Sequence, residues 1–387
     1  MPNRQGLLVF AGMVAGLAMI ADPCAAQQPG RLDDLNNQID TGAAVKGVPD
    51  PAAPPKKGVT PLVVPLPLSD PALGSGAVLV GALFYNPVAG GRQWVTGVGG
   101  LYTNQKDWAL GVAQQADLFK GKLRLKAFAG YGDFLLDFFG IGQNAGAAGR
   151  SIKLHQTGEL ATVDTIYQVT GKLFGGLRWR ALSETTTLAE PLFPGHPILP
   201  EAQLKTQISG LGPSFEYDSR DLQFRPTKGL YAEGQWLVYN KALGSTFDYD
   251  KLNLAGNAYF PLGRNTVIAA RASLCDSSSG APFYDLCMYG SSHDLRGYQG
   301  GQYRDHVLVA GQVELRQHLF WRFGAVAFGG VGTVSDKFAD LGSAPALPAG
   351  GAGLRFQPSA KLPINISVDY AWGKNSQGLY LYVGEAF

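Results

Sequence analysis

The sequence is poor in charge and contains no long apolar run, and both shortages restrict the class of protein. Aspartate, glutamate, lysine and arginine make up only 16% of the 387 residues, whereas a soluble globular domain has roughly 25%. A stretch of about 18 apolar residues is missing, which excludes a membrane-spanning helix. The net charge of +2 gives no sign of a polyanionic partner, so we expect no nucleic-acid binding.

Sequence signals of catalysis are missing as well. The five histidines show no metal-ligand spacing, and neither a GxSxG motif nor a phosphate-binding glycine loop occurs. Asp218 and Asp221 accompany Arg220 in a turn motif, which predicts local ion pairing rather than acid–base catalysis. We therefore expect no enzymatic activity, no catalytic residue, no bound metal and no cofactor.

Glycine and aromatic residues are abundant. The chain has 52 glycines, 11% aromatic residues and an ordinary 45% of hydrophobic residues. Such a composition, with diluted charge and no spanning helix, is typical of a transmembrane β-barrel. A soluble β-rich protein has a similar composition, so the strand pattern has to decide between the two.

The first 59 residues carry an export signal and a linker. Arg4 precedes the apolar stretch GLLVFAGMVAGLAMI, and small residues follow, which predicts a cleaved signal peptide over residues 1–26. Cys24 offers a lipoprotein alternative, but Pro23 stands where a small residue is expected. Residues 27–59 predict a Pro-rich periplasmic linker, because about 30 residues of this composition are too few for a folded domain. The β-barrel is predicted over residues 60–387.

Two cysteines remain after removal of the predicted signal peptide. They are Cys275 and Cys287, twelve positions apart. An even number of cysteines in an exported protein permits a disulfide, and two unpaired thiols are the alternative.

From residue 60 onward, apolar and polar residues alternate with period two. In GLYAEGQWLVYN, Leu230, Trp236 and Val238 fall on one face, and Tyr231 and Glu233 fall on the other. Such alternation predicts strands with one apolar and one polar face, as in a barrel with lipid outside and water inside. We predict sixteen strands, an even number that places both ends of the barrel on one side. They lie near residues 60–69, 75–86, 93–103, 107–118, 122–138, 153–168, 171–183, 205–218, 229–240, 247–260, 265–275, 304–317, 322–334, 350–357, 363–371 and 378–387.

The connections between these strands alternate in length. The longer ones lie near residues 139–152, 184–204, 276–303 and 335–349, and we assign them to the outside of the cell. The shorter ones, near residues 119–121, 318–321 and 358–362, are assigned to the periplasmic side.

The first strand is unusual because it contains Pro61, Pro65 and Pro67. Alternate residues of an antiparallel strand direct their N–H groups to opposite neighbours, so all three missing donors lie on one side. We therefore predict that this strand pairs well with the second strand and poorly with the last one. In this arrangement the even-numbered residues, such as Leu66 and Leu68, face lipid. The alternative is that residues 60–69 belong to the linker.

Four motifs, in order, resemble the barrel of the BamA/TamA-like superfamily, also called bacterial surface antigens. DSRDLQFRPTKG looks like its periplasmic turn before strand nine, and DLRGY like the signature of its sixth extracellular loop. VELRQHLF looks like the strand that leaves that loop, and VDYAWG with VGEAF like the closing hairpin. Phe387, at the end of an alternating strand, resembles the signal that bacterial barrel-assembly machinery reads. The resemblance covers residues 60–387 and implies an outer-membrane location.

The same resemblance implies that the sixth loop folds into the lumen and is anchored there. The motif residues are Asp294, Leu295, Arg296, Gly297 and Tyr298. Because alternation places Glu314 on the inner face, it is the first candidate partner of Arg296, and Asp369 is a second. The aspartate that the family has on the thirteenth strand is replaced by Gly330, and Gly324, Gly330 and Gly332 leave room for a loop to approach.

Two functions follow from the resemblance. The first is outer-membrane protein assembly or polypeptide transport, in which the weak junction between the first and last strands serves as a lateral gate. Family members that handle clients carry POTRA repeats before the barrel, which residues 27–59 cannot supply, so a separate periplasmic or exported protein is an expected partner. The other partners are outer-membrane lipid and the barrel-assembly machinery. The second function is a passive or plugged pore, or a structural surface barrel.

Overall fold

The computed structural model describes residues 59–70, 73–87, 94–189, 204–222, 225–290, 295–358 and 365–387. The predicted signal peptide and nearly all of the predicted linker lie outside the described residues, and so does Asp294 of the loop motif. Within the described ranges, none of the helices has the length and apolar character needed to cross a bilayer.

Eighteen strands, one short α-helix and four single-turn 3-10 helices make up the regular structure of the described ranges; the 3-10 helices are Phe119–Gly121, Lys241–Leu243, Phe283–Asp285 and Phe338–Asp340. The strands are β1 (Thr60–Asp70), β2 (Gly74–Tyr85), β3 (Trp94–Thr103), β4 (Trp108–Leu118), β5 (Leu123–Phe138), β6 (Ile152–Thr170), β7 (Leu173–Leu188), β8 (Lys205–Asp218), β9 (Gly229–Tyr239), β10 (Tyr249–Leu262), β11 (Thr266–Ser277), β12 (Cys287–Tyr289), β13 (Tyr303–Asp305), β14 (Val307–Phe320), β15 (Phe323–Ser335), β16 (Leu347–Phe356), β17 (Ile366–Gly373) and β18 (Ser376–Val383). The helix is α1 (Gln143–Ala148).

Sixteen of these strands close into one antiparallel barrel, which confirms the predicted fold and strand number. Neighbours in the chain are neighbours in the barrel, except that β11 pairs with β14. The strand predicted at residues 304–317 is divided, because Tyr303–Asp305 pairs with Cys287–Tyr289 as a separate hairpin. This hairpin belongs to the connection 278–306, which we call loop six.

The two ends of the barrel differ as predicted. The connections 139–151, 189–204, 278–306 and 336–346 all lie at one end, which we call the loop end. The short connections 119–122, 171–172, 263–265 and 321–322 lie at the other, which we call the turn end. Both β1 and β18 have their outer termini at the turn end, as the even strand number requires.

The two faces of the wall differ in polarity. The outer face exposes apolar side chains on nearly every strand, for example Leu110, Val112, Leu177, Trp236, Val313 and Leu354. The inner face carries charged and polar side chains that are buried from solvent, for example Asp164, Glu216, Gln312, Glu314, Arg355 and Asp369. Exposed aromatic residues occur near both ends, Phe320 and Trp321 at the turn end and Tyr370 and Trp372 near the loop end. An apolar outer band between two aromatic belts is the surface of a barrel that spans a membrane.

The first strand is present and pairs as predicted, but with its faces reversed. All eleven residues of β1 have a partner in β2, whereas Ser69, opposite Leu381, is the only residue of described β1 with a partner in β18. The expectation that the even-numbered leucines face lipid is wrong: Leu68 packs against the lumenal apolar cluster, and Val63 is exposed outside. The register explains the reversal, since Leu66 lies opposite the inward residue Val78 of β2.

Candidate functional site: loop six and the arginine ring of the lumen

Loop six is fastened to the barrel at its root. Cys275, near the end of β11, and Cys287, in β12, form a disulfide with a Cα–Cα distance of 5.7 Å. The Sγ atom of Cys287 also lies 3.1 Å from the carbonyl oxygen of His306, which begins the return to the wall. Both sides of the loop therefore start from the same place on the rim.

One part of loop six contacts the wall formed by β7 and β10. The carboxylate of Asp285 is fully buried and accepts a hydrogen bond from the hydroxyl of Tyr249 at 2.6 Å. It also pairs with Lys251 at 3.1 Å and with Arg180 at 3.2 Å. The sequence reasoning missed Asp285, because Arg180 on β7 lies about 70 residues from Tyr249 and Lys251 on β10, and no local pattern connects the two strands with the loop.

Apolar contacts support this attachment. Phe283 and Tyr284, next to Asp285, are buried in a cluster of lumenal side chains. The wall contributes Leu101, Phe134, Leu136, Leu154, Leu160, Leu182, Ile208 and Leu237 to that cluster. Loop six therefore packs into the lumen with apolar residues and pairs there with charged ones.

A second part of loop six contacts another part of the wall, formed by β14 and β17, through Arg296. Its side chain has no solvent exposure, and its guanidinium binds the carboxylates of both Glu314 on β14 and Asp369 on β17. The hydroxyl of Tyr382 lies 3.0 Å from it, and the ring of Phe328 lies 3.6 Å below it. The structure thus brings the predicted arginine together with both candidate carboxylates.

The backbone of the loop motif is held as well. The N–H of Gly297 donates to the hydroxyl of Tyr380 at 2.9 Å, and the hydroxyl of Tyr298 donates to the carbonyl of Pro348 at 2.7 Å. Gly297 has φ +116°, and a Cβ there would lie 2.9 Å from the backbone of Trp372. Glycine is therefore needed here both for its dihedral angle and for the close approach.

Two of the three inward glycines of β15 lie against loop six. A Cβ on Gly330 would lie 2.8 Å from the side chain of Leu295, and a Cβ on Gly332 would lie 2.5 Å from the ring of Tyr289. Gly324 differs from these two, because its closest neighbours belong to Gln317 and Arg355 rather than to the loop. Position 330 has no room for the expected aspartate between the Gly311 backbone and Leu295, and Asp369 supplies the second carboxylate from β17.

Arg296 belongs to a closed ring of three arginines and three carboxylates, which we call the arginine ring. Going around it, the members are Arg296, Glu314, Arg316, Glu385, Arg355 and Asp369, and each is within ion-pair distance of the next. The positive and negative charges are equal in number, and none of the six side chains is more than 9% exposed. Buried charges are tolerated only when they are paired in this way.

Glu385 reaches the ring because the chain turns inward after β18. The prediction that the last strand continues to Phe387 is wrong: β18 ends at Val383, and Gly384 has φ +97°. Residues 384–387, which we call the tail, are buried, and Phe387 packs against Tyr259 and Ala269 in the lumen. A glycine with positive φ breaks the ladder, and the lumenal arginines and aromatic rings then provide the tail with partners.

The turn that precedes β9 shows the local pairing that its sequence predicts. Arg220 forms two hydrogen bonds with Asp218, at 2.9 and 2.8 Å. Burial raises the pKa of the Asp221 carboxyl, but the hydroxyl and N–H of Thr227 and the N–H of Lys228 outweigh it, so the pKa lies below its usual value. These residues stabilise the turn and do not form an acid–base pair.

A cluster of possible metal ligands lies at the loop end. One ligand atom each of Asp305, His306 and Asp336 lies within 4.8 Å of the others, and the ring of His306 is 3.0 Å from Asp336. Burial raises the pKa of Asp305, although the N–H of His306 donates to its carboxylate. The sequence spacing gave no hint of this cluster, because Asp336 approaches only through the pairing of β14 with β15.

Known proteins with this architecture are found among outer-membrane barrels. Residues 137–387 match the Omp85 superfamily domain. BamA from Haemophilus ducreyi lacking POTRA domains 1–3 aligns with a TM-score of 0.55 and 15% identity over 85% of this chain and 70% of that chain. CdiB from Acinetobacter baumannii aligns with a TM-score of 0.56 and 12% identity over 85% of this chain and 60% of that chain. CdiB from Escherichia coli aligns with a TM-score of 0.55 and 15% identity over 86% of this chain and 63% of that chain.

No curated protein sequence matches the chain. The structural relatives have such low identity that they establish the fold alone, and this chain spans less than two thirds of either CdiB. The family match, in contrast, covers well over half of the chain. Together with the apolar outer band of the sixteen-stranded barrel, it shows that this chain is an outer-membrane β-barrel of the Omp85 superfamily.

Proposed function

We propose that the protein acts in outer-membrane protein assembly or polypeptide transport, and that the junction between β1 and β18 is where it receives a client strand. We call this junction the seam. The observation that carries the proposal is the pairing of the seam, where Ser69 and Leu381 are the only paired residues of the described strands. Every residue of β18, in contrast, has a partner in β17.

The prolines of β1 account for the weakness of the seam. Pro61, Pro65 and Pro67 lack N–H groups, and regular pairing with β2 requires their nitrogen atoms to point toward β18. Ser69 follows in the same parity with its N–H intact, and it is the residue that pairs. The edge of β18 has no proline, so its free backbone groups are the ones suited to bind an extended segment.

The partners follow from this mechanism. The client is a polypeptide that adds a strand to the edge of β18, and lipid surrounds the outer band. Client delivery falls to a separate periplasmic or exported protein, and the general barrel-assembly machinery inserts the barrel itself. The relatives support the proposal by their fold: the barrel of BamA and those of two CdiB proteins align with this chain.

A crosslink across the seam tests the proposal. Ser69→Cys with Leu381→Cys, joined by a short, cleavable crosslinker with two thiol-reactive ends, would keep the seam closed. Val368→Cys with Leu381→Cys is the matched control because these residues pair between β17 and β18. We expect the seam crosslink to stop insertion or export of a client in proteoliposomes, with recovery after cleavage of the crosslinker. Equal client activity of the crosslinked seam and the control would reject the proposal.

A plugged pore is the second candidate, and the attachment of loop six to the wall at two places favours it. Asp285 binds β7 and β10, and Arg296 binds β14 and β17, so the loop is held inside the lumen at two places. Conductance in a planar bilayer separates the candidates. A pore that needs only its plug removed would conduct strongly once both attachments are removed, as in the double variant Asp285→Asn with Arg296→Gln, and would show no response to the seam crosslink.

A further inference from the structure

The position of β18 depends on contacts beyond its own ladders. It is fully paired with β17 on one side and paired through a single residue with β1 on the other. Directly after Val383, however, the tail enters the lumen and makes contacts with several strands. The attachment of the tail therefore contributes to holding β18 in the wall.

The tail is attached at both ends of its short path. At the start, the N–H of Gly384 donates to the carbonyl of Asn365 at 2.7 Å, and the hydroxyl of Ser367 donates to the carbonyl of Gly384 at 2.5 Å. At the end, Phe387 packs in a slot formed by Tyr259 of β10 and Ala269 of β11.

Charged contacts hold the middle of the tail. Glu385 is 4% exposed and accepts from Arg355 at 2.8 Å and from the side-chain amide of Asn365 at 2.6 Å. Arg316 lies 3.8 Å from Glu385, donates to the carbonyl of Phe387 at 2.9 Å and has its guanidinium 5.2 Å from that ring. Two buried cations, Arg316 and Arg355, and an aromatic slot therefore form a binding site for one short segment with an acidic and an aromatic residue.

The arginine ring connects this site to loop six. Arg316 and Arg355 are the two cations that bind Glu385, and each also binds one of the two carboxylates that hold Arg296. When Glu385 leaves, three cations share two carboxylates, and Arg296 loses part of its attraction to each. The positions of the tail and of loop six are therefore energetically coupled, and the coupling acts in both directions.

We propose that the tail is a latch on the seam, held in its lumenal site by Arg316, Arg355 and the Tyr259 slot, and that its release loosens both β18 and loop six. The inference rests on the proposed function in one respect, namely that the seam opens. The partner that releases the latch is an exported polypeptide segment that offers an acidic residue and an aromatic one to the same site.

Hydrogen exchange of the full chain in lipid nanodiscs tests the latch without any client. Glu385→Gln removes the charge of the tail, and Glu233→Gln is the control, since Glu233 is a lumenal carboxylate of β9 bound by the hydroxyl of Tyr231. We expect exchange of the β18 amides in Glu385→Gln to rise by about tenfold, the scale of one lost charged hydrogen bond. Peptides containing Arg296 should exchange faster too, and both regions should keep wild-type protection in Glu233→Gln.

A variant with a covalently fixed tail keeps the test possible if Glu385→Gln does not fold. Ala269→Cys with Ala386→Cys joins two residues that pack together, so a disulfide there should slow β18 exchange below the wild-type rate until a reductant is added. Unchanged β18 exchange in both the locked and the Glu385→Gln proteins would overturn the latch. Faster exchange of β18 with wild-type protection at Arg296 would overturn the coupling. Since neither readout involves transport, a failed latch leaves the client proposal standing, and the reverse also holds.

Discussion

At the scale of single residues, the arginine ring depends on geometry as much as on charge. Arg296 binds two carboxylates on different strands and stacks on Phe328 at the same time. A guanidinium is planar and presents several N–H groups in fixed directions, whereas an ammonium group is a compact point charge. The role of Arg296 therefore requires arginine rather than any cation.

Replacing Arg296 should destabilise the barrel strongly. We expect Arg296→Ala to lower the free energy of unfolding by about 3 kcal/mol, because buried carboxylates then lose a partner, and Arg296→Lys to recover less than half of that loss. Arg271→Ala is the control, since Arg271 donates to the neutral side chain of Asn257 at 2.8 Å and should cost about 1 kcal/mol. The measurement is urea unfolding in detergent micelles, and equal losses for Arg296→Ala and Arg271→Ala would contradict the ring.

The family resemblance and the structure predict different outcomes at Gly330, because the family has an aspartate at this position and the structure has no space for one. Restoring the aspartate as Gly330→Asp should destabilise the protein by about 1–3 kcal/mol, because a Cβ there would lie 2.3 Å from the carbonyl oxygen of Gly311 and 2.8 Å from the side chain of Leu295. Gly329→Ala on the outer face of the same strand is the control, since its Cβ would meet only a carbonyl at 3.7 Å. A Gly330→Asp protein as stable as the wild type would mean that Leu295 does not occupy this space.

At the scale of elements, local sequence patterns predicted the strands. They did not predict the parts of the site that depend on contacts between residues far apart in the chain. Period-two alternation located all sixteen barrel strands, because one face of each strand contacts lipid and the other face contacts the lumen. The same rule gave the inward direction of Glu314 and Asp369. It could not show the tail, since Gly384 ends the alternation, nor Asp285, whose partners lie on two distant strands.

The prolines of β1 make the seam adjustable by mutation. Pro65→Val with Pro67→Val restores two N–H groups on the edge that faces β18, so we expect pairing to extend beyond Ser69. Hydrogen exchange of the β18 amides should then slow by at least about tenfold, and client activity should fall. Leu79→Val with Ala77→Val, on the outer face of β2 opposite the same prolines, is the control, and faster β18 exchange in the proline variant would oppose this explanation of the weak seam.

At the scale of the whole molecule, loop six lies in the lumen and is attached to the wall at two separate places. The attachment near β7 and β10 uses Asp285, Phe283 and Tyr284, and the attachment near β14 and β17 uses Arg296 and the ring. The disulfide at the loop root limits how far the loop can move when either attachment is lost. Two attachments and a tether imply that neither attachment alone decides whether the lumen is obstructed.

The conductance of single and double variants follows from this arrangement. Asp285→Asn removes the charge of one attachment without changing the size of the side chain, and Arg296→Gln removes the charge of the other. Because the remaining attachment and the Cys275–Cys287 bond hold the loop in each single variant, we expect conductance in planar bilayers close to that of the wild type. The double variant should conduct in large steps, since the loop is then held only at its root. Large steps in either single variant would mean that one attachment alone holds the loop, and a double variant as quiet as the wild type would mean that the apolar contacts of Phe283 and Tyr284 are sufficient.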